Sequence, residues 1–359
     1  MGDIYSVITA TGSYIPTRKV LNSDFLDNEF YDSEGVKFDI PNEEIIAKFE
    51  EITQIKERRH VTDDLVASDI ALFAAQDALE SADINPESLD YIIVAHNFGD
   101  VKPETRVSDF VPSIAARVKN GLGINNPKTI AYDLPFGCPG WLQGIIQGNY
   151  YIKSGDAKRV MVIGAETLSR ISDPHDRDSM LYADGAGATI LEHMESDEPV
   201  GVLSHAERSD TKEHAYMLWM DKSYNPEYKG PGLFLKMNGR KLYEYALNTV
   251  PLIVKESLDK AKLFLNDVTK VLLHQANAKM DEAILKRLFR LYDDRNVQFN
   301  IMPMIIEWLG NTSVATIPTL LNLLMTKKVN GHELVKGNVL VFASVGAGMN
   351  INSVIYRMP

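Results

Sequence analysis

One side chain in this sequence could act as a soft nucleophile: Cys138, the single cysteine among 359 residues. It stands in Asp133-Leu134-Pro135-Phe136-Gly137-Cys138-Pro139-Gly140-Trp141. A strand pattern ends near Asp133, and a helical one (Leu142, Ile145, Ile146, Tyr150) begins just after Pro139. Proline favours the first helical position, which would make Cys138 the N-cap. Free amides and the helix dipole there favour an anion and lower a thiol's pKa. Gly137 and Gly140 remove side chains where a substrate would approach. The blander reading is an inert core thiol.

Two neutral polar residues could complete a site. His274 follows an apolar strand in His274-Gln275-Ala276-Asn277, and α/β folds gather ligands at strand C-terminal ends. Asn311 lies in Trp308-Leu309-Gly310-Asn311-Thr312-Ser313, just ahead of a helical pattern. Alone, each reads equally well as a satisfied structural residue or a cap. Together, a thiolate and two neutral hydrogen-bond donors suit acyl transfer and enolate chemistry, where oxyanions develop.

The elements that must hold these residues alternate. Apolar strand-length runs fall at 91–95, 129–132, 160–163, 188–191, 270–273, 297–300, 339–342 and 351–356. Helical spacing covers 68–80, 139–153, 240–262, 278–291 and 314–327. Continuous apolar strands between helices imply an α/β class with sheets covered on both faces. The order repeats. Strand 91–95, His96-Asn97, strand 129–132 and a helix opened by Cys138 match strand 270–273, His274, strand 297–300 and a helix opened by Asn311. A duplication follows, with halves 1–195 and 196–359. Residues 204–236, rich in aromatic and charged residues, read as a surface insertion.

Composition narrows the class. Apolar residues make up 45% and charged residues 24%, which suits a globular chain. A net charge of −12 gives no basic footprint for nucleic acid. No apolar run is long enough to span a membrane, and Met1-Gly2-Asp3-Ile4 lacks the basic start of a signal peptide. One cysteine excludes an internal disulfide or a cysteine-cluster metal site. The expectation is a cytoplasmic protein.

Motifs along nearly the whole chain resemble the β-ketoacyl-ACP synthase III family of condensing enzymes. They are Thr11-Gly12-Ser13-Tyr14-Ile15-Pro16, Ile163-Gly164-Ala165-Glu166, Tyr182-Ala183-Asp184-Gly185-Ala186-Gly187-Ala188, Met237-Asn238-Gly239-Arg240, His274-Gln275-Ala276-Asn277 and Gly310-Asn311-Thr312-Ser313. The resemblance implies a duplicated thiolase fold with five αβαβα layers, a homodimer, and a catalytic triad of Cys138, His274 and Asn311. It implies that Cys138 accepts an acyl group from a thioester on acyl carrier protein (ACP) or CoA. A second carrier-bound thioester, usually malonyl, then condenses with it. His274 and Asn311 would hold the enolate, and the backbone N–H groups of Cys138 and Ala347 the second oxyanion. No metal or other cofactor is required.

The resemblance also points to the substrate's surroundings. Pro139 and Trp141 depart from the family pattern around the nucleophile, and the family's adenine grip aligns with Lys48 and Ile52, so it is lost here. Phe110 or Val111 aligns with an aromatic that reaches into the partner's pocket; with Trp141 they form the expected pocket. On the helical pattern 278–291, Lys279, Lys286 and Arg290 fall within about 40° of one another at about 100° per residue, with Arg287 to one side. Lys279, Lys286 and Arg287 align with the family's carrier-docking residues; otherwise this is a solvated helix face. Alternatives are a ketosynthase joining two long acyl thioesters, as in dialkylresorcinol-type pigment synthesis, an acyltransferase without carbon–carbon bond formation, and a silent partner subunit.

Overall fold

A computed structural model describes residues 2–359. The first part of the chain runs β1 (Asp3–Tyr14), β2 (Arg18–Leu21), α1 (Asn42–Thr53), β3 (Glu57–His60), α2 (Ala67–Ser81), β4 (Tyr91–His96), β5 (Asp100–Val101), β6 (Ser108–Asp109), α3 (Ile114–Gly121), β7 (Ile130–Pro135), α4 (Gly140–Ser154), β8 (Arg159–Thr167) and β9 (Asp184–Ser196). The second runs β10 (Gly201–Ser209), β11 (Leu218–Asp221), β12 (Phe234–Met237), α5 (Gly239–Ala261), β13 (Val268–Leu273), α6 (Ala278–Arg290), α7 (Ile306–Leu309), α8 (Thr316–Met325), β14 (Val339–Gly346) and β15 (Asn350–Arg357).

Two sheets share one plan. The first has strand order β1-β9-β8-β4-β7 and the second β10-β15-β14-β13. In each, two antiparallel pairings (β1/β9 and β9/β8; β10/β15 and β15/β14) lead to a parallel one (β8/β4; β14/β13). The expected strand at 297–300 does not form. Phe299–Ile301 is a single 3-10 turn, since Gln298 and Asn300 break the short run and Pro303 follows. The second sheet therefore ends at β13.

Side-chain alternation builds the five layers. Ile92 and Val94 of β4 pack with α2 and α3, while Ile93 between them faces α4. Val271 and Leu273 of β13 pack with α5 and α6, while Leu272 faces the middle. Strand residues alternate faces, so both sheets need apolar side chains on both sides, and their strands read as unbroken apolar runs. The middle layer is α4 and α8. Leu142, Ile145 and Ile146 of α4 meet Val160 and Val162 of one sheet and Leu340 and Phe342 of the other. This is the thiolase fold. Truncating Leu142 to Ala there would cost about 2–5 kcal/mol.

Residues 204–236 lie mostly at the surface, as expected, but strands at both ends of the stretch tie it into the fold. Gly201–Ser209 is the edge strand β10, and β11 pairs with β12 in a hairpin whose Phe234 and Lys236 are fully buried. Lys236 is held there by Asp173 at 2.5 Å and Asp176 at 3.3 Å. No helix among the described residues is long and apolar enough to cross a membrane.

Candidate active site

Cys138 reaches its place through a tight approach of two turns. Gly137 has φ +72°, and a Cβ on it would stand 2.9 Å from the Ala347 nitrogen. From the other side, a Cβ on Gly346 would stand 2.5 Å from the Cys138 nitrogen. Only glycines let these backbones come so close. Among the described residues, neither the Cys138 nor the Ala347 N–H donates to a backbone acceptor of another residue; the Cys138 N–H bears on its own thiol.

Cys138 is not the N-cap of α4. The helix begins at Gly140 with Pro139 as its cap, and Pro139 O accepts from Gln143 N at 3.0 Å. The thiol is one residue further out. Its pKa is raised, not lowered: burial pushes it up to about 11, against the hydroxyl of Ser313, which donates to Sγ at 3.2 Å. Desolvation outweighs the helix terminus.

His274 follows directly on β13, and its N–H donates to Ala343 O at 2.9 Å. It is buried, which lowers its pKa to about 4 and keeps the ring neutral at pH 7. Its Nδ1 is buried without a partner. Asn311 is fixed by backbone bonds to Leu181 O and from Ala183 N, both 2.9 Å, and its Oδ1 accepts from Ser313 N at 2.9 Å. Its Nδ2 has no protein acceptor among the described residues.

Cys138, His274, Asn311 and Ala347 line one cavity of about 80 Å³. The remaining wall is mostly apolar, including Phe98, Leu168, Met280 and, from the β11–β12 hairpin, Leu218, Leu235 and Met237. A wider vestibule of about 630 Å³ leads to it past Lys48, Phe49, Ile52, Arg177 and Arg240. Met237, Leu242, Ala276, Met280 and Asn311 line both. A thiol, a neutral imidazole, an amide and two backbone N–H groups can together attack an acyl carbonyl and hold the oxyanion that forms.

Other expected residues lie elsewhere. Trp141 does not line the cavity: it is 1% exposed in the layer between the sheets, edge-on to Phe342. Helical spacing explains this, since α4 turns Trp141 into its apolar stripe. Phe110 and Val111 do not line it either; both are exposed on this chain, Phe110 against His96. Lys279 and Lys286 stand half-exposed on α6, each beside an acid, Glu51 at 3.2 Å and Glu282 at 3.7 Å. Arg287 bonds to Asn248.

The sequence reading missed three polar residues around the thiol: Ser313, Asn97 and Glu166. Asn97 donates from Nδ2 to Ser313 Oγ at 3.0 Å and to Glu166 Oε2 at 2.5 Å. Burial raises the Glu166 pKa to about 7. Their signal was available, because each sits where a strand ends or a motif of the resemblance closes. It was also silent about direction, since sequence does not say which way a side chain faces.

The family model for 3-oxoacyl-[acyl-carrier-protein (ACP)] synthase III matches residues 132–211, and the model for its C-terminal part matches residues 258–358. Solved structures are similar over the full length. The 3-oxoacyl-[acyl-carrier-protein] synthase III of Aquifex aeolicus VF5 is 28% identical, with 98% of this chain and 99% of that one covered at a TM-score of 0.78. The Thermus thermophilus enzyme is 28% identical, with 98% and 99% covered at 0.80. The Pseudomonas aeruginosa PAO1 enzyme is 25% identical, with 99% and 98% covered at 0.81.

Proposed function

The chain belongs to the 3-oxoacyl-[acyl-carrier-protein] synthase III family of acyltransferases, and from that premise we propose that it condenses a Cys138-bound acyl group with a carrier-bound thioester. The observation behind this reading is the convergence of Cys138, His274 and Asn311, from three distant segments, on one apolar cavity.

In the first half-reaction the Cys138 sulfur attacks the primer's thioester carbonyl. The new carbon–sulfur bond replaces the carrier's, and the thiol proton ends on the departing carrier thiol. The N–H groups of Cys138 and Ala347 hold the tetrahedral oxyanion. In the second, a malonyl-type thioester enters through the vestibule. Loss of CO₂ leaves an enolate, whose oxygen accepts from His274 and Asn311. A neutral imidazole suits this, because it donates without surrendering its proton. The enolate carbon then attacks the acyl-Cys138 carbonyl and expels the sulfur as a thiolate, which takes a proton from water to restore the thiol. No step calls for a metal or redox cofactor.

The working form is a homodimer, with Phe110 and Val111 exposed for a partner's pocket, and the carrier is ACP docking at Lys279, Lys286 and Arg287. Incubation with a panel of acyl-CoA and acyl-ACP donors, read by intact mass, tests the first step. The expected result is a mass gain on wild type and none on Cys138→Ala; acylation of that variant would remove Cys138 from the mechanism. Product mass tests the second step, since a transferred but unlengthened acyl chain would leave only acyl transfer.

A further inference from the structure

We propose that Ser313 is the group that steadies charge on the Cys138 sulfur, and that Asn97 and Glu166 are positioning residues that fix which way its hydrogen points. This rests on Cys138 being the nucleophile. Donor count fixes the direction of the chain of bonds. A serine hydroxyl has one hydrogen to give. Asn97 Nδ2 has two, and it gives one to Glu166 Oε2 at 2.5 Å and the other to Ser313 Oγ at 3.0 Å. Ser313 Oγ is thus already an acceptor, and its own hydrogen goes to Cys138 Sγ at 3.2 Å.

Glu166 sets the orientation of the amide. Its Oε2 accepts twice from Asn97, from Nδ2 and from the backbone N at 2.8 Å. A flipped amide would present Oδ1 to that oxygen and lose the bond. The other oxygen, Oε1, is buried without a partner, so a proton taken up by Glu166 goes there and Oε2 remains an acceptor. The polarity of the chain Glu166–Asn97–Ser313–Cys138 therefore survives the titration of its acid. Ser313 is also held at φ +50°, a left-handed position uncommon for a residue with a Cβ.

The titratable groups facing the thiol are Glu166, Tyr182 and His274; His96 and Asp184 bear on Glu166 in turn. All five are left in place when Ser313 is changed. Ser313→Ala and Ser313→Gly should each raise the pH midpoint of Cys138 alkylation by iodoacetamide by about 1 unit, a roughly 10-fold loss of thiolate at fixed pH. The glycine variant relieves the backbone, so it should melt no lower than wild type; lost reactivity in it is not lost folding. Glu166→Gln keeps an acceptor facing Asn97, and Glu166→Met removes it, while both delete the same charge. The methionine variant should have the higher midpoint, and the two should coincide when Ser313 is already Ala. A wild-type midpoint in Ser313→Gly, or equal midpoints for Gln and Met with Ser313 present, would overturn the proposal. Alkylation does not depend on acyl transfer, so an enzyme that never acylates would sink the proposed function and leave this test standing.

Discussion

The two halves of the molecule place a histidine at the same point and use it differently. Ala95 of β4 pairs with Gly164 of β8, and Leu273 of β13 pairs with Ala343 of β14, so His96 and His274 are equivalent residues at equivalent strand ends. Both are buried. His96 Nδ1 accepts from Gly99 N at 3.1 Å, and its Nε2 stands 3.0 Å from Asp133, which is itself held by the N–H groups of Ile114 and Ala115. His274 has no such partners; its Nδ1 is orphaned and it faces the cavity. The same contrast recurs two residues past each pairing, where the first half has Glu166 and the second Val345. A duplicated scaffold offers two polar stations. Here the first half's histidine is paired with the Asp133 carboxylate, while the second half's histidine is left open to the cavity.

The largest effects should come from that contrast. His274→Ala should lower the condensation rate by ~10²–10³, the usual cost of one oxyanion donor, with acyl loading and melting temperature close to wild type. His96→Ala should do the reverse. It strips Gly99 N of its acceptor and opens a hole beside Asp133, at about 2–4 kcal/mol of stability. The protein that still folds should turn over within a few-fold of wild type. Rate assays and urea melts on both variants check this, and a large rate loss in His96→Ala with intact stability would break the comparison.

Glu166 gives the next effect, because its tilt with pH is opposite to that of His274. The folded-state pKa of Glu166, about 7, lies above its ordinary 4.5. Its share of stability is thus full below pH 4.5 and lost as pH rises through 7. His274, at about 4 against an ordinary 6.5, contributes above pH 6.5 and loses that as pH falls through 4. Glu166→Gln removes only the first tilt. Between pH 5 and 8 its stability should gain on wild type by on the order of 2–3 kcal/mol, measured by urea unfolding at both pH values. A gap that does not move with pH would mean that Glu166 is ionised throughout.

What the sequence disclosed follows from which signals are local. The central strands β4, β8, β13 and β14 are buried on both faces and announce themselves as apolar runs. The edge strands β1 and β10 do not, since Ser204-His205 and Glu207-Arg208 dilute the pattern of β10 to that of a loop. Cys138 and His274 were readable because they stand between or at the ends of strands and helices; Asn311 opens no helix, since α8 starts only at Thr316, and it was readable from its Gly310-Asn311-Thr312-Ser313 motif. The thiol's environment was not, because it depends on how much water the fold removes. Trp141 shows the same limit: a large residue three positions from the nucleophile looked like a pocket wall, and the helix turned it into the core. Trp141→Leu should accordingly cost about 1–3 kcal/mol of stability and leave the acyl-chain preference of the cavity unchanged, as melts and a donor panel would show.

The smallest effect concerns the surface of the second half, where α6 carries Lys279, Lys286 and Arg287, the docking residues of the proposed function. The lysines are not bare. Lys279 lies 3.2 Å from Glu51 and Lys286 3.7 Å from Glu282, and Lys286 also sits over the Phe299 ring at 5.1 Å. Exposed pairs of this kind are worth little in stability, but each acid offsets part of the positive field that an acidic carrier would meet. Charge reversal at Lys286 and Arg287 should raise the KM for acyl-ACP about 3–10-fold at low salt and leave an unlinked pantetheine thioester nearly unaffected. The reciprocal variant, Glu51→Gln with Glu282→Gln, should lower the same KM by a smaller factor, because it frees charge that is already present. Both differences should fade toward 1 M salt, where the Debye length falls to ~3 Å. Steady-state kinetics across a salt series on both carriers decides the matter. If the two double variants match wild type on acyl-ACP at low salt, α6 is a solvated face and the carrier docks elsewhere around the vestibule.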